Sequence, residues 1–153
     1  MDYLSRLLEV TKVLANRARL RILAVLAGRE LCVGQVAAIF DIARSTASEH
    51  LSALRRAGLL AERRDGRFAY FTLSGDGRAR THLDVVLAEL TADDAVRGDR
   101  ELTERILALP HDLVCDLGRA ALDIPRPPEA PVADPGGRHE AKPISTPDSQ
   151  EDS

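Results

Sequence analysis

Two sets of side chains in this sequence could do chemistry. The first is its only pair of thiols, Cys32 and Cys115. A thiolate is both a nucleophile and a ligand for soft ions, so the pair admits three readings. In one, both are small hydrophobes in a helical core and any ligand binds elsewhere. In another they meet, within a chain or across a dimer, to hold a thiophilic species. In the third they couple as a disulfide or polysulfide under oxidants or reactive sulfur. Both chemical readings require the sulfurs to come together, with Cα atoms under roughly 7 Å apart for a disulfide. The second set is hydroxyls and arginines. Arg44, Ser45, Thr46 and Ser48 open one helical run, and Arg63, Arg64 and Arg67 follow close behind. Short hydroxyl side chains at a slim helix end can reach base edges in a DNA major groove, while guanidinium groups pair with phosphates.

The elements that must position these groups are legible from spacing. In the run from Ile42 to Gly58, Ala47, Leu51 and Leu54 fall on one buried stripe. Ser45, Glu49, Ser52 and Arg56 then face the other way. Gly58 suits the helix end. Leu59–Arg64 and Arg67–Leu73 read as strands with Asp65-Gly66 as a tight turn. A helix followed by a basic-tipped hairpin is the layout of a winged helix-turn-helix, with the helix in the groove and the hairpin along the backbone. Upstream, Leu4, Leu7, Leu8, Thr11 and Leu14 share one stripe of a first helix. Asn16 can cap a second helix, built on Leu20, Ile22, Leu23, Val25 and Leu26. Its Arg17, Arg19 and Arg21 read as solvated or phosphate-reaching. Glu30–Asp41 reads as the third helix, the first of the helix-turn-helix pair.

After the wing, Ser74-Gly-Asp-Gly is a helix start for the stripe Leu83, Val86, Leu87 and Leu90. The polar stretch Thr91–Arg100 breaks that pattern. Another helix is expected over Glu101–Leu109, stopped by Pro110, and one more piece over Leu113, Val114, Leu117 and Leu122. Those stripes exceed what a winged helix needs to bury, so with the first helix they predict a dimer interface. The predicted fold class is mainly α: a winged helix-turn-helix domain over 1–80, C-terminal helices for dimerisation or effector binding over 81–123, and a tail over 124–153. Seven of the eight prolines lie in that tail, with too little apolar surface to offset ordering entropy, so disorder is expected there.

Composition bounds the function. The chain has 153 residues, 44% hydrophobic but only 3% aromatic, which favours a helical aliphatic core. The net charge of −3 divides unevenly: residues 1–80 sum to +6 and 81–153 to −9. Screening confines phosphate attraction to about 8–10 Å, so the basic half decides. Two cysteines suit a reducing compartment, and Met1-Asp-Tyr-Leu-Ser-Arg has no basic-then-apolar leader. No apolar run approaches the roughly 20 residues that span a bilayer. A cytoplasmic protein without a membrane partner is expected.

Thr11–Leu23, Glu30–Ala37, Ser45–Leu60 and the wing Arg63–Leu73 resemble the ArsR/SmtB family of bacterial and archaeal repressors. The resemblance runs over residues 5–75. It implies a homodimer that binds a double-stranded DNA operator, an imperfect palindrome, and leaves it when an inducer binds. It maps the reading positions onto Ser45, Thr46, Ser48 and His50. His50 sits at the edge of the buried stripe, which leaves a structural role as open as a phosphate contact. Arsenite-sensing members carry Cys-Val-Cys on the third helix; here Gly34 follows Cys32 and Val33. Arsenite, As(III), generally takes three thiolates and a methylated arsenical two, so Cys32 with Cys115 would hold a methylated arsenical, or arsenite with a third ligand, as inducer. Zinc-sensing members use a carboxylate-x-His and a later His-x-x-Glu; His82-Leu-Asp84 reverses the order and no His-x-x-Glu follows. The alternatives are a thiol-redox or reactive-sulfur sensor of the same fold, or a winged helix that contacts protein. No Gly-rich phosphate loop, His-Glu-x-x-His or nucleophile elbow indicates an enzyme.

Overall fold

The computed structural model describes residues 2–125. Capping residues set where its helices begin. Asp2 accepts a hydrogen bond from the Ser5 amide at 2.7 Å and opens α1, Tyr3–Leu14. Asn16 accepts from the Arg19 amide at 3.1 Å and opens α2, Arg17–Val25. Each cap satisfies one of the orphan donors of a first turn.

The third segment departs from expectation. Leu31–Cys32 form a short strand, β1, before α3, Val33–Phe40. A run of Leu-Cys-Val carries no period that separates strand from helix, and pairing with the wing decides it. Cys32 is the residue before α3, and the Gln35 side chain accepts from its amide at 3.0 Å. Asp41, at φ 53°, turns the chain towards α4, Arg44–Arg56.

Strands β2, Leu60–Asp65, and β3, Phe68–Leu73, form the wing, and the sheet order is β1-β3-β2, all antiparallel. Asp65 pairs with Phe68, so the two-residue loop is Gly66-Arg67 and not Asp65-Gly66. Only Gly66 has positive φ there, at 58°. Glycine first is the pattern of a type II′ turn, which matches the twist of the strands.

Beyond the wing, Asp76 caps α5, Gly77–Leu90. Asp93 then caps α6, Asp94–Leu107, by accepting from the Val96 amide at 3.0 Å. The polar stretch is therefore the start of a helix. Its buried positions are Val96, Asp99, Thr103 and Ile106, and two polar residues in four hide the stripe. Pro110 precedes α7, His111–Leu117, and a 3-10 turn over Gly118–Asp123 follows.

The core joins Ile22, Leu23, Leu26, Val36, Ile39, Leu51 and Leu54 to Ile106, Val114 and Ala121. So α6 and α7 pack on α2 and α3 of their own chain, where a share of a dimer interface was expected. The Arg21 guanidinium explains the buried Asp99: its Nε and Nη2 donate to the two carboxylate oxygens at 2.7 Å each. It is a third exposed, but its fork is taken by Asp99 and not free for a phosphate. In contrast, α1 and α5 leave Tyr3, Leu4, Leu7, Leu8 and Val85 exposed, while Leu83 is buried. Among the described residues no helix is long and apolar enough to cross a membrane. The expected disorder over 124–153 falls, from 126 on, outside the described residues.

Candidate nucleic-acid interface and thiol centre

The reading helix takes its orientation from three residues. Ala47, Leu51 and Leu54 of α4 are fully buried, which turns Arg44, Ser45 and Ser48 to solvent and leaves Thr46 half-buried. Its N-cap is Ala43, which offers no side-chain acceptor. The first-turn amides of α4 therefore lack a capping side chain, a state that suits an anion at the positive end of the helix dipole. Sequence reading passed over Ala43, although a residue with no acceptor at that position was the signal. His50 is half-buried and accepts from Arg19 Nε at its Nδ1, 3.4 Å away. Burial and the Arg19 charge hold its imidazole below the ordinary range, so it is neutral near pH 7 and a weak phosphate partner.

The three wing arginines differ. Arg63 forks onto Glu30 at 3.1 and 2.5 Å and lies over the Tyr70 ring, 4.8 Å from its centroid. That pair keeps the Glu30 carboxyl below its usual range. Arg64 leans on Glu62 at 3.4 Å and stays exposed. Arg67, in the turn, stacks on Phe68 at 4.9 Å.

Cys32 and Cys115 come together, and a residue that sequence reading missed lies between them. His111 Nε2 is 3.3 Å from Cys32 Sγ, and Cys115 Sγ is 3.7 Å from His111 Nδ1 and 3.8 Å from Nε2. One donor atom from each of the three residues falls within 4.8 Å of the others. The signal was present: His111 and Cys115 are four apart, hence on one face of a helix. The scaffold is distributed, with Cys32 on β1 and the other two on α7. The Phe68 ring meets His111 edge-on at 4.6 Å, and the Tyr70 hydroxyl is 3.4 Å from Nε2. Burial and the neighbouring Cys32 push the Cys115 thiol up, while Arg44 opposes them. Cys32 is 2% exposed.

Gly34 explains how α4 reaches this centre. A Cβ there would lie 2.6 Å from Arg44 Nη2 and 3.3 Å from Cys115 Sγ. The missing side chain lets the first residue of the reading helix lie against a thiol. A groove of about 570 Å³ continues the contact, lined by Cys32, Gly34, Arg44, Ser48, Arg64 and Cys115 among others. In the 3-10 turn after α7, Arg119 donates from Nε to the Ala38 carbonyl at 3.1 Å and from a terminal nitrogen to the Ile39 carbonyl. The segment bearing the thiol centre thus also grips the end of α3.

Three comparisons bear on this arrangement. Over 111 residues the chain is 32% identical to the HTH-type transcriptional regulator Rv0324 of Mycobacterium tuberculosis, covering 72% of this chain and 48% of that protein. It therefore spans about half the length of that relative. Over 101 residues it is 31% identical to the arsenical resistance operon repressor of Escherichia coli, covering 65% of this chain and 80% of that one. A solved structure of the homodimeric winged helix-turn-helix DNA-binding domain Mb0332 from Mycobacterium bovis superposes with a TM-score of 0.50 at 36% identity, over 59% of this chain and 84% of that one. The family described as bacterial regulatory protein, arsR family, matches residues 16–62, which include α2, α3 and α4. On the shared sequence and the winged helix together, the chain belongs to the arsR family of bacterial regulatory proteins.

Proposed function

We propose that this chain is a homodimeric transcriptional repressor that binds an operator through α4 and its wing and is released by an inducer acting at Cys32 and Cys115. The observation that carries the reading is the opening of α4: an uncapped first turn, Arg44, Ser45 and Ser48 exposed, and Arg64 and Arg67 beside them. Ser45, Thr46 and Ser48 serve discrimination between base sequences, while Arg44, Arg64 and Arg67 supply backbone attraction that falls with salt. Arg63 contributes less, because Glu30 already takes its fork, and His50 supports α4 through Arg19. The dimer forms through the exposed apolar faces of α1 and α5, by analogy with the homodimeric relative. A two-fold pair of reading helices fits half-sites about 34–36 Å apart.

Titration of the chain against DNA from upstream of its own gene and against random DNA, read by fluorescence anisotropy, tests the reading. Preference for the upstream DNA, weakened by Ser45→Ala with Ser48→Ala, supports it; equal weak binding to both overturns it. Release by arsenite, a methylated arsenical, zinc or polysulfide is then compared in the parent, Cys32→Ser and Cys115→Ser. If both variants release DNA as the parent does under every active inducer, the cysteines are not the sensor.

A further inference from the structure

The donors at the thiol centre are two sulfurs and one imidazole nitrogen. Zinc bound to cysteine and histidine has Zn–S of about 2.3 Å and Zn–N of about 2.0–2.1 Å, so sulfur and nitrogen on a tetrahedral ion stand roughly 3.5 Å apart. The two sulfur-to-Nε2 separations, 3.3 and 3.8 Å, bracket that value. We propose that Cys32, His111 and Cys115 form a binding site for a borderline-soft divalent cation of the zinc and cadmium class. The ion sits between β1 and α7, with a fourth position left for water or the Tyr70 hydroxyl.

The choice of ion follows from the nitrogen. Trivalent arsenic wants thiolates alone, whereas imidazole suits zinc-like ions and thiolate suits both. Nε2 is the ligand atom that faces Cys32 and Tyr70. Nδ1 then carries the proton, with the exposed Asp112 carboxylate 4.0 Å away, beyond direct hydrogen-bond reach. On binding, each thiol releases its proton to solvent and gives the ion a sulfur lone pair. No electron changes hands, and two thiolates balance the charge of the ion.

The same site reaches the reading helix. Arg44 lies against Cys115 in the space that Gly34 leaves. The ion replaces two protons, so net charge is unchanged, but a metal-bound thiolate is a stronger hydrogen-bond acceptor than a thiol and so holds the neighbouring Arg44 guanidinium away from a phosphate. The ion thereby favours the dimer that cannot hold DNA. This regulatory step rests on the DNA-binding reading above; the metal site does not.

The test uses the reduced, metal-stripped full chain titrated with Cd²⁺ and Co²⁺, without DNA. One ion per chain should bind, with a thiolate-to-metal charge-transfer band and the strong visible bands of tetrahedral Co²⁺. Cys32→Ser and Cys115→Ser should each lose the charge-transfer intensity. Loss of the nitrogen in His111→Ala should weaken Cd²⁺ by at least the roughly 10–100-fold typical of an outer-shell partner, while phenylarsine oxide, which needs only two thiols, still binds. Parental Cd²⁺ affinity in His111→Ala overturns the site, as does a chain that takes phenylarsine oxide or arsenite but neither cation. Apo His111→Ala should keep the circular dichroism and melting temperature of the parent, which separates lost ligation from lost fold. With operator DNA present, Zn²⁺ should lower affinity by roughly 5–150-fold. An intact metal site with unchanged DNA affinity refutes the Arg44 coupling; a chain that binds metal but no DNA at all refutes the operator reading alone.

Discussion

Helices α5 and α6 follow one another after the wing, and both carry apolar side chains, yet they use them differently. In α5, Leu83 reaches the core while Val85 remains 62% exposed, beside an α1 whose Leu4 and Leu8 are at least half exposed. In α6, Val96 and Ile106 are buried against α2 and α3 of the same chain. The difference lies in the polar residues. Asp99 has a partner on α2, Arg21, and the Thr103 hydroxyl donates to the Asp99 carbonyl at 2.7 Å. The described α5 has no such tie to the domain beneath it. An apolar stripe says that a surface will be covered; a matched polar group within it says by what.

The largest effect expected from this contrast is on association. Leu4→Glu with Leu8→Glu removes roughly 1.5–3 kcal/mol per side chain, counted on both copies of a two-fold interface. Sedimentation should show dimer dissociation weakened by more than about a thousandfold, with the helical signal of each chain intact. A dimer that persists would assign association to another face. Next is Ile106→Ala, which opens a cavity under α6 and should cost about 2–5 kcal/mol in urea unfolding. If it also dissociated the dimer, the two helices would not be doing different jobs. Asp99→Ala should cost less, about 1–3 kcal/mol, because Arg21 is a third exposed and recovers water. A double cycle with Arg21→Ala should recover most of that loss as a coupling term.

The smallest effect is a control outside both helices. The folded imidazole of His50 titrates below its ordinary 6.5, so the unfolded chain binds the proton first. Stability is full above about pH 6.5 and falls as pH drops through the folded value. Arg19 opposes the charged form and Glu49 favours it. Arg19→Ala should therefore move the fall in the urea midpoint to higher retained stability at about pH 5.5, measured against about pH 7.5. An unchanged pH profile would remove Arg19 as a cause.

What the sequence disclosed divides along similar physical lines. Helices with one clean stripe, α2 behind its Asn16 cap and α4 on Ala47, Leu51 and Leu54, were legible in place. Strand β1 was not, because two residues carry no period and their strand character comes from Phe71 and Tyr70 across the sheet. The start of α6 was masked by Asp99, whose burial depends on Arg21, 78 positions earlier in the chain. The turn slipped by one residue because Asp-Gly and Gly-Arg both offer a glycine with positive φ. Cys32 and Cys115 were visible as candidates, whereas His111 was overlooked as one of four scattered histidines; its spacing to Cys115 was local information, its nearness to Cys32 was not.

The grip of Arg119 on the last carbonyls of α3 has a kinetic consequence. Proteins open in cooperative blocks, and a helix end whose acceptors are held from elsewhere cannot fray alone. Undocking of residues 111–123 takes the Arg119 donors from two α3 carbonyls, so the final turn of α3 and the whole of α7 share one opening event. The slow step in exposing Cys32 is then release of a segment that begins 79 positions further along the chain, and amide exchange in the two places should proceed at a common rate.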